Sequence, residues 1–139
     1  MKALDYAAIQ VGDSLPALTL PPLTRTTLAL YAGASGDHNP VHIDIDVARR
    51  AGMPDVFAQG MLSSAYLGRL LTNWAAQEQL RSLSLRFTGI THLHNAVLCT
   101  GRVAEKFEAE GERRLRLEIH TRNQFGETKI AAEAVVACA

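Results

Sequence analysis

The sequence is short of the residues that mark several classes of protein. Its 139 residues include only two cysteines, and aromatic residues make up 6% of the chain. Cys99 and Cys138 each lie in an apolar, strand-like context, and two such residues do not form the framework of a disulfide-rich secreted domain. They are typical of buried thiols in a reducing compartment.

Net charge and long apolar runs are also missing. Fourteen Lys and Arg residues balance fourteen Asp and Glu residues, so the formal net charge is zero. No diffuse positive field is therefore available to hold nucleic acid or an anionic membrane surface. The longest apolar run, Met61 to Trp74, contains Arg69 and is shorter than the roughly 20 residues of a membrane span. We expect neither a nucleic-acid partner nor a membrane partner.

The beginning of the chain lacks the pattern of a secretory signal. Asp5 stands where the apolar stretch of a signal would start, and no cleavage site of small residues follows. We therefore expect a cytoplasmic protein. The length suits one domain with a real core, and we assign residues 1–139 to it.

Apolar residues at helical spacing predict three helices in the first half of the chain. They extend from about Thr24 to Gly36, from Asp44 or Asp46 to Gly52, and from Gly60 to about Gln79. Apolar residues surround most of the third helix, which predicts a deeply buried central helix. Its small residues are interpreted as packing positions, not as a substrate-lining face: Ser63, Ser64, Ala65 and Gly68.

The second half changes to a period of two, which predicts half-buried strands. These are expected around Leu83 to Phe87, Val97 to Val103, Leu115 to His120 and Thr128 to Ala137, with a turn at Asn123 to Gly126. Helices followed by four antiparallel strands indicate an α+β fold in which a curled sheet can wrap the third helix. One sheet face would then stay uncovered, which predicts a partner subunit.

The chemistry-bearing segment is a polar loop between the first two helices. Gly36 can adopt positive φ as the helix ends, and Pro40 disfavours helical geometry at Asn39, so the backbone must turn here. Such a turn can bring Asp37 and His42 together around one water molecule, which one group deprotonates while the other returns a proton to a substrate carbon. Asn39 can lock the turn or direct its amide at the same water.

The start of the third helix is the second candidate element. Gly60 has no Cβ to block a ligand, so its backbone N–H and the positive end of the helix can hold a carbonyl oxygen. An oxygen that gains negative charge in an enolate-like transition state would be stabilised there. Proton transfer by the loop and charge stabilisation by the helix start together fit the addition of water to an unsaturated thioester.

Simpler interpretations compete with catalysis. Taken alone, Asp37 fits a turn acid and His42 a structural loop histidine; their spacing with Asn39, Pro40 and Gly60 favours catalysis. Two sets of residues have the spacing of zinc ligands: His38, His42 and Asp44 form the first, and His92 with His94 the second. Pro40 breaks the helix that the first set would need, and the second set lacks a third ligand, so we expect no metal.

These residues resemble a known family. The run from Tyr31 to Asp44, YAGASGDHNPVHID, resembles the hydratase-2 motif of MaoC-like dehydratases, in which a G-D-x-N-P-x-H core precedes a helix and a later H-G-M step. The resemblance extends from Val11 to Phe87 and implies a hot-dog fold, in which an antiparallel curled sheet wraps around a long central helix. Gln59 departs from the usual His, and residues 89–95 lack the usual Pro-Val and Gly-Asp pattern.

The resemblance also implies roles for individual residues. By it, Asp37 and His42 are catalytic, Asn39 supports them, and the Gly60 N–H receives the thioester oxygen. The reaction implied is reversible syn hydration of a trans-2-enoyl thioester to an (R)-3-hydroxyacyl thioester, without a cofactor. The substrate would be a thioester of coenzyme A or of acyl-carrier protein, and the assembly a homodimer, with a larger oligomer or a hot-dog hetero-partner as alternatives.

Two other functions are compatible with the same fold. One is a hot-dog acyl-CoA thioesterase, in which a carboxylate activates water against the carbonyl carbon; the pairing of His42 with Asp37 argues against it. The other is a non-catalytic acyl-binding or scaffolding subunit of a hot-dog heterodimer. Such a subunit can lose the pair, whereas this chain retains both residues.

Overall fold

The computed structural model of the chain describes residues 3–139. In chain order these residues form β1 (Leu18–Pro22), α1 (Arg25–Ser35), α2 (Ile45–Arg50), α3 (Gly60–Thr72), β2 (Leu80–Phe87), β3 (Ala96–Ala109), β4 (Glu112–Arg122) and β5 (Thr128–Ala137). Short 3-10 turns at Pro40–His42 and Gln77–Gln79 precede α2 and β2. Among the helices of this part of the chain, none is long and apolar enough to cross a membrane.

The helix ends follow local chemistry. Thr24 caps α1, because its hydroxyl accepts a hydrogen bond from the backbone N–H of Thr27 at 3.2 Å. Gly36 ends α1 at φ 77°, and its N–H donates to the carbonyl of Ala32. Asp44 caps α2 by accepting from the N–H of Asp46 at 2.9 Å. These caps confirm the predicted boundaries of the first two helices.

The strands form one antiparallel sheet in the order β1-β3-β4-β5-β2, so β1 and β2 are its edges. The inner side of β4 is fully buried, while residues between its apolar positions face outward. The buried positions are Leu115, Leu117, Ile119 and Thr121. This face packs with β1 and β3 against α3, which buries Leu62, Leu67, Leu70 and Leu71. The sheet and the central helix thus share one core.

Three predicted boundaries or environments are wrong. α3 ends at Thr72 instead of continuing to Gln79; the chain then turns into β2, and in this turn the Gln79 side chain accepts from Ala76 N and donates to Ala137 O. β3 is longer than predicted because it pairs with β4 as far as Ala109. The sequence predicts four strands, yet β1 pairs with β3 as a fifth; Pro is tolerated there because β1 is an edge.

The surface beside β2 is apolar and exposed. Met61 at the start of α3 is 58% exposed, and Leu83 and Phe87 of β2 are 38% and 53% exposed. The prediction of a deeply buried central helix holds for most of α3, which buries Leu62, Leu67, Leu70 and Leu71, whereas Met61 stays exposed in this chain alone. We call Met61, Leu83 and Phe87 the β2 surface.

Both cysteines are free thiols. Cys99 lies in the core, and burial raises the pKa of its thiol to about 12. Cys138 is half-buried, and burial raises its pKa as well. The prediction of buried thiols is confirmed for Cys99 and holds only in part for Cys138.

Candidate active site

The turn after α1 arranges the Asp37 carboxylate through short-range hydrogen bonds. The N–H of Asp37 donates to the hydroxyl of Ser35 at 3.1 Å, and the N–H of Asn39 donates to Asp37 Oδ1 at 3.3 Å. The second oxygen, Oδ2, faces His42. One carboxylate oxygen therefore stabilises the turn, while the other is left for an external group.

Asn39 has a role in the backbone of this loop. Its side-chain oxygen accepts from the N–H of Val41 at 3.3 Å and caps the 3-10 turn that carries His42. Of the two roles left open for Asn39, the geometry shows the turn-locking one.

His42 is held in one orientation by the segment that precedes α3. Its Nδ1 lies 2.8 Å from the carbonyl oxygen of Phe57, and its ring meets the edge of the Phe57 ring at a centroid distance of 5.0 Å. Because a carbonyl oxygen only accepts, Nδ1 must carry the proton, and neutral His42 then has its lone pair on Nε2. The free nitrogen is the one that faces Asp37.

The loop brings Asp37 and His42 together as predicted. Asp37 Oδ2 and His42 Nε2 are 3.8 Å apart, which is too long for a direct hydrogen bond and leaves both atoms free to hold a small third group. The His42 side chain is 11% exposed and that of Asp37 is 44% exposed. The imidazole is thus largely buried, whereas the carboxylate is accessible to solvent.

A cavity of about 190 Å³ opens beside the imidazole. His42 and Gly60 both line it, whereas Asp37 lies outside its wall. Most of the remaining wall is apolar, and the side chains responsible are Phe57, Phe87, Ile90 and Ile130. An acyl chain is therefore a suitable occupant, with its reactive end at His42.

Gly60 is the first residue of α3, so its N–H has no partner within the helix. The Phe87 ring packs directly over its Cα: a Cβ added at Gly60 would lie 2.9 Å from Phe87 Cε1. Any side chain at this position would displace the ring. Because Gly60 has no side chain, the Phe87 ring can pack against it and a ligand can approach its N–H.

Gln59 stands where the resembling family has a histidine. Its side chain is fully buried, and Nε2 donates to the carbonyl oxygen of Leu28 in α1 at 2.9 Å. This bond joins the start of α3 to the helix that leads into the Asp37 loop. Gln59 Oε1 has no hydrogen-bond partner among the described residues.

Tyr31 reports on the electrostatics near the loop. Burial raises the pKa of its phenol, and the negative charge of Asp37 raises it further. Tyr31 is therefore a neutral hydroxyl at physiological pH and does not neutralise Asp37.

Two further histidines lie in the segment before β3. His92 and His94 belong to a turn closed by a bond from Asn95 N to His92 O, and His94 has φ 67°, so these two residues do not lie in a continuous strand. Within residues 3–139 no three His, Cys, Asp or Glu side chains are close enough to hold a metal ion.

Sequence reasoning missed several parts of the cavity. Ser63 is one of the residues around it but is 2% exposed, so its interpretation as a packing position stays a prediction; its neighbour Ser64 donates to Gly60 O at 3.0 Å and is not part of the wall. The carbonyl of Phe57 carries no sequence signal at all. Ile90 and Thr91 come from the segment that departs from the resembling family, so no motif indicated them.

Comparison with known proteins places this geometry in a family. The family model described as MaoC like domain matches residues 10–125. R-hydratase PhaJ1 from Pseudomonas aeruginosa is 28% identical, with a TM-score of 0.85 over 98% of this chain and 86% of that chain. The ChsH1-ChsH2 complex from Mycobacterium tuberculosis shares the fold at 24% identity, with a TM-score of 0.81 over 94% of this chain and 98% of that chain.

Curated relatives include a much larger protein. The fatty acid synthase subunit beta of Saccharomyces cerevisiae is 30% identical over 115 residues, which are 75% of this chain and 6% of that protein. The chain thus spans only a small fraction of the length of the curated relatives that it matches.

The chain belongs to the MaoC-like dehydratase family, and its fold is the hot-dog fold. Both predictions are confirmed. The roles assigned to Asp37, His42, Asn39 and Gly60 remain predictions, to which the distances above give geometric support.

Proposed function

We propose that this protein catalyses the reversible syn hydration of trans-2-enoyl thioesters to (R)-3-hydroxyacyl thioesters, with no cofactor. The observation that carries the proposal is the opposition of Asp37 Oδ2 and His42 Nε2 across 3.8 Å, beside a cavity that also contains the start of α3. Similarity to an R-hydratase supports it. Substrates are thioesters of coenzyme A or of acyl-carrier protein, which share the thioester group that the site contacts.

The pair holds a water molecule through both of its hydrogens. A water about 2.8 Å from each acceptor lies beside the line that joins Asp37 Oδ2 to His42 Nε2. Its oxygen lone pairs are then directed away from both groups and toward C3 of the substrate. As the oxygen bonds to C3, Nε2 takes a proton from the water.

The same imidazole completes the cycle. The Nδ1–H bond to Phe57 keeps the ring in place, and Asp37 stabilises the imidazolium while it exists. Nε2 then delivers its proton to C2, so the elements of one water molecule add to C2 and C3. Because oxygen and proton both come from the side that His42 occupies, the addition is syn.

The start of α3 stabilises the charge that forms during this addition. As the C3–O bond forms, electron density moves from the double bond to the thioester oxygen. The Gly60 N–H, at the positive end of α3, donates to that oxygen. The enolate then collapses as C2 accepts the proton.

The experiment that tests the proposal is incubation of the purified protein with crotonyl-CoA. Hydration removes the absorbance of the conjugated enoyl group without releasing thiol. Release of free thiol would instead indicate a thioesterase, and neither change would indicate a non-catalytic acyl-binding subunit. Either of these two results would contradict the proposal.

A first prediction concerns Gln59. Since Gly60 acts through its main chain, Gln59→Ala is expected to lower the crotonyl-CoA hydration rate by less than the ~10²-fold typical of losing a direct oxyanion donor. The remaining loss would come from the broken bond to Leu28 O, which joins α3 to α1. Steady-state kinetics on the folded variant measure it. Complete loss of activity would make the Gln59 side chain a direct participant.

A second prediction concerns assembly. We propose that the protein is a homodimer in which a second copy covers the β2 surface. β2 pairs with β5 on one side only, and it carries exposed apolar side chains next to its open edge. Leu83→Asp is expected to convert dimer to monomer and to reduce activity, since Phe87 links this surface to Gly60. Light scattering after size-exclusion chromatography measures the mass.

The matched control for assembly is Val11→Asp, which places the same charge at another exposed apolar residue, in the segment that pairs with β3. This variant is expected to remain dimeric. A wild-type protein that is a stable, fully active monomer in dilute solution would rule out the homodimer, and a stable mass that requires a different hot-dog chain would replace it with a heterodimer.

A further inference from the structure

The segment before β3 is bonded to the backbone that orients His42. The carbonyl oxygen of Thr91 accepts a hydrogen bond from Ala58 N at 2.9 Å. The next residue, His92, forms an isolated β-bridge with Phe57. The Phe57 carbonyl oxygen in turn lies 2.8 Å from His42 Nδ1. The position of this carbonyl therefore depends on a segment that is distant along the chain.

The Asn95 side chain closes the turn at the end of this segment. Its oxygen Oδ1 accepts a hydrogen bond from the N–H of His92 at 3.0 Å, and it lies 3.5 Å from Nδ2 of Asn123 in the turn between β4 and β5. Because a backbone N–H only donates, the oxygen of the Asn95 amide must be the atom that faces it. Asn95 and Asn123 are 6% and 5% exposed, so these bonds are shielded from water.

Backbone hydrogen bonds hold the same turn independently of this side chain. Leu23 N donates to Asn95 O at 3.0 Å, and His94 N donates to Leu23 O at 2.9 Å. Loss of the Asn95 side chain would therefore leave the turn attached to the segment before α1. It would remove the partner of the His92 N–H, and His92 is the residue that forms the bridge with Phe57.

We propose that Asn95 is a positioning residue for His42. It holds His92 against Phe57, and so keeps in place the carbonyl oxygen that fixes the imidazole proton on Nδ1. The inference rests on the proposed hydratase function, in which Nε2 must be unprotonated to take a proton from water. Groups that orient a catalytic side chain affect the rate without contacting the substrate, and a misplacement of about 1 Å can cost about 10²-fold.

Steady-state kinetics with crotonyl-CoA test the effect on the rate. Asn95→Ala is expected to lower kcat by about tenfold or more with little change in KM, because the side chain orients the imidazole and does not bind substrate. Asn95→Asp is expected to keep most of kcat, since a carboxylate oxygen also accepts from the His92 N–H. Gln79→Ala is the matched control: Gln79 Oε1 likewise accepts from a backbone N–H three residues earlier, at Ala76, and Gln79 does not line the cavity. This control is expected to lower stability and not kcat.

A double variant separates positioning from a general loss of structure. If Asn95 acts through the imidazole, adding Asn95→Ala to His42→Ala is expected to lower the remaining rate by less than about twofold. A loss that persists at full size without the imidazole would overturn the inference. An unchanged kcat in Asn95→Ala, or equal damage by Asn95→Asp, would overturn it as well.

Nitrogen NMR of the His42 ring reads its tautomer without any substrate. The wild-type ring is expected to carry its proton on Nδ1. In Asn95→Ala a larger share of the Nε2–H tautomer is expected, because the Asp37 carboxylate on that side can accept from it. Asn95→Ser, whose hydroxyl does not reach the position of Oδ1, is the second variant if Asn95→Ala does not fold.

The two measurements separate this inference from the function on which it rests. An unchanged tautomer in a folded variant would show that Asn95 does not position His42, while the hydratase function stands. A wild-type protein that does not hydrate crotonyl-CoA would contradict the proposed function, and the tautomer would still decide whether Asn95 orients the imidazole.

Discussion

Replacing Asp37 by Asn, or His42 by Ala, is expected to lower kcat for crotonyl-CoA hydration by about 10²–10⁴-fold in each case. Without the His42 imidazole, no group is in place to take a proton from the water. Without the carboxylate the imidazolium loses its stabilising charge and the water loses one of its two acceptors. Stopped-flow or steady-state absorbance measures the loss, and circular dichroism confirms that each variant is folded.

The double variant gives a sharper result than either single one. Because Asp37 and His42 serve one proton cycle, Asp37→Asn with His42→Ala is expected to be little worse than the more damaging single change. His38→Ala is the matched control: it removes an exposed imidazole from the same loop and is expected to retain most of the activity. Losses that simply add in the double variant would show that the two residues act independently.

Gly60→Ala is expected to lower kcat/KM for crotonyl-CoA by about 10²-fold, comparable with the loss of one oxyanion donor. The new Cβ would lie 2.9 Å from Phe87 Cε1, so the ring must move and the approach to the Gly60 N–H is altered. The kinetics of the variant measure this directly. Because the helix already has Ala-compatible geometry, the fold itself should survive.

A second substitution tests the cause. If the contact with the Phe87 ring produces the loss, combining Gly60→Ala with Phe87→Leu is expected to restore part of the activity, while Phe87→Leu alone should not raise it. Gly68→Ala is the matched control within α3, since a Cβ there meets no atom within 4 Å. If Gly60→Ala retained near-wild-type activity, the start of α3 would not take part in catalysis.

The parts of the structure that the sequence predicted depend on short-range chemistry. The Thr24 cap, the positive φ of Gly36 and the Asx bond of Asn39 each involve residues within four positions of one another. Such interactions leave signals in the local sequence, and they are sufficient to bring Asp37 and His42 together. The motif and the geometry of the loop therefore agree.

The parts that it did not predict depend on contacts between distant segments. His42 Nδ1 bonds to a backbone carbonyl 15 residues away, and any residue type at Phe57 would supply that oxygen. The turn that leads from α3 into β2 contains a bond from Gln79 to Ala137, 58 residues along the chain. Ser63 could not be separated from Ser64 by spacing alone. The assignment of residues 1–139 to a single domain stays a prediction.

The stereochemistry of hydration tests the central claim most directly. Water held by Asp37 and His42 attacks from the side on which His42 also protonates C2, so the addition is syn and the product has one configuration. Hydration of crotonyl-CoA in D2O should therefore place deuterium at C2 on the face that received the oxygen, and chiral analysis should find one enantiomer at C3, which the proposed function makes the (R) product. Deuterium and oxygen on opposite faces, or a racemic product formed at the enzymatic rate, would contradict the assignment of this pair as the catalytic centre, and the (S) product would contradict the proposed (R) specificity.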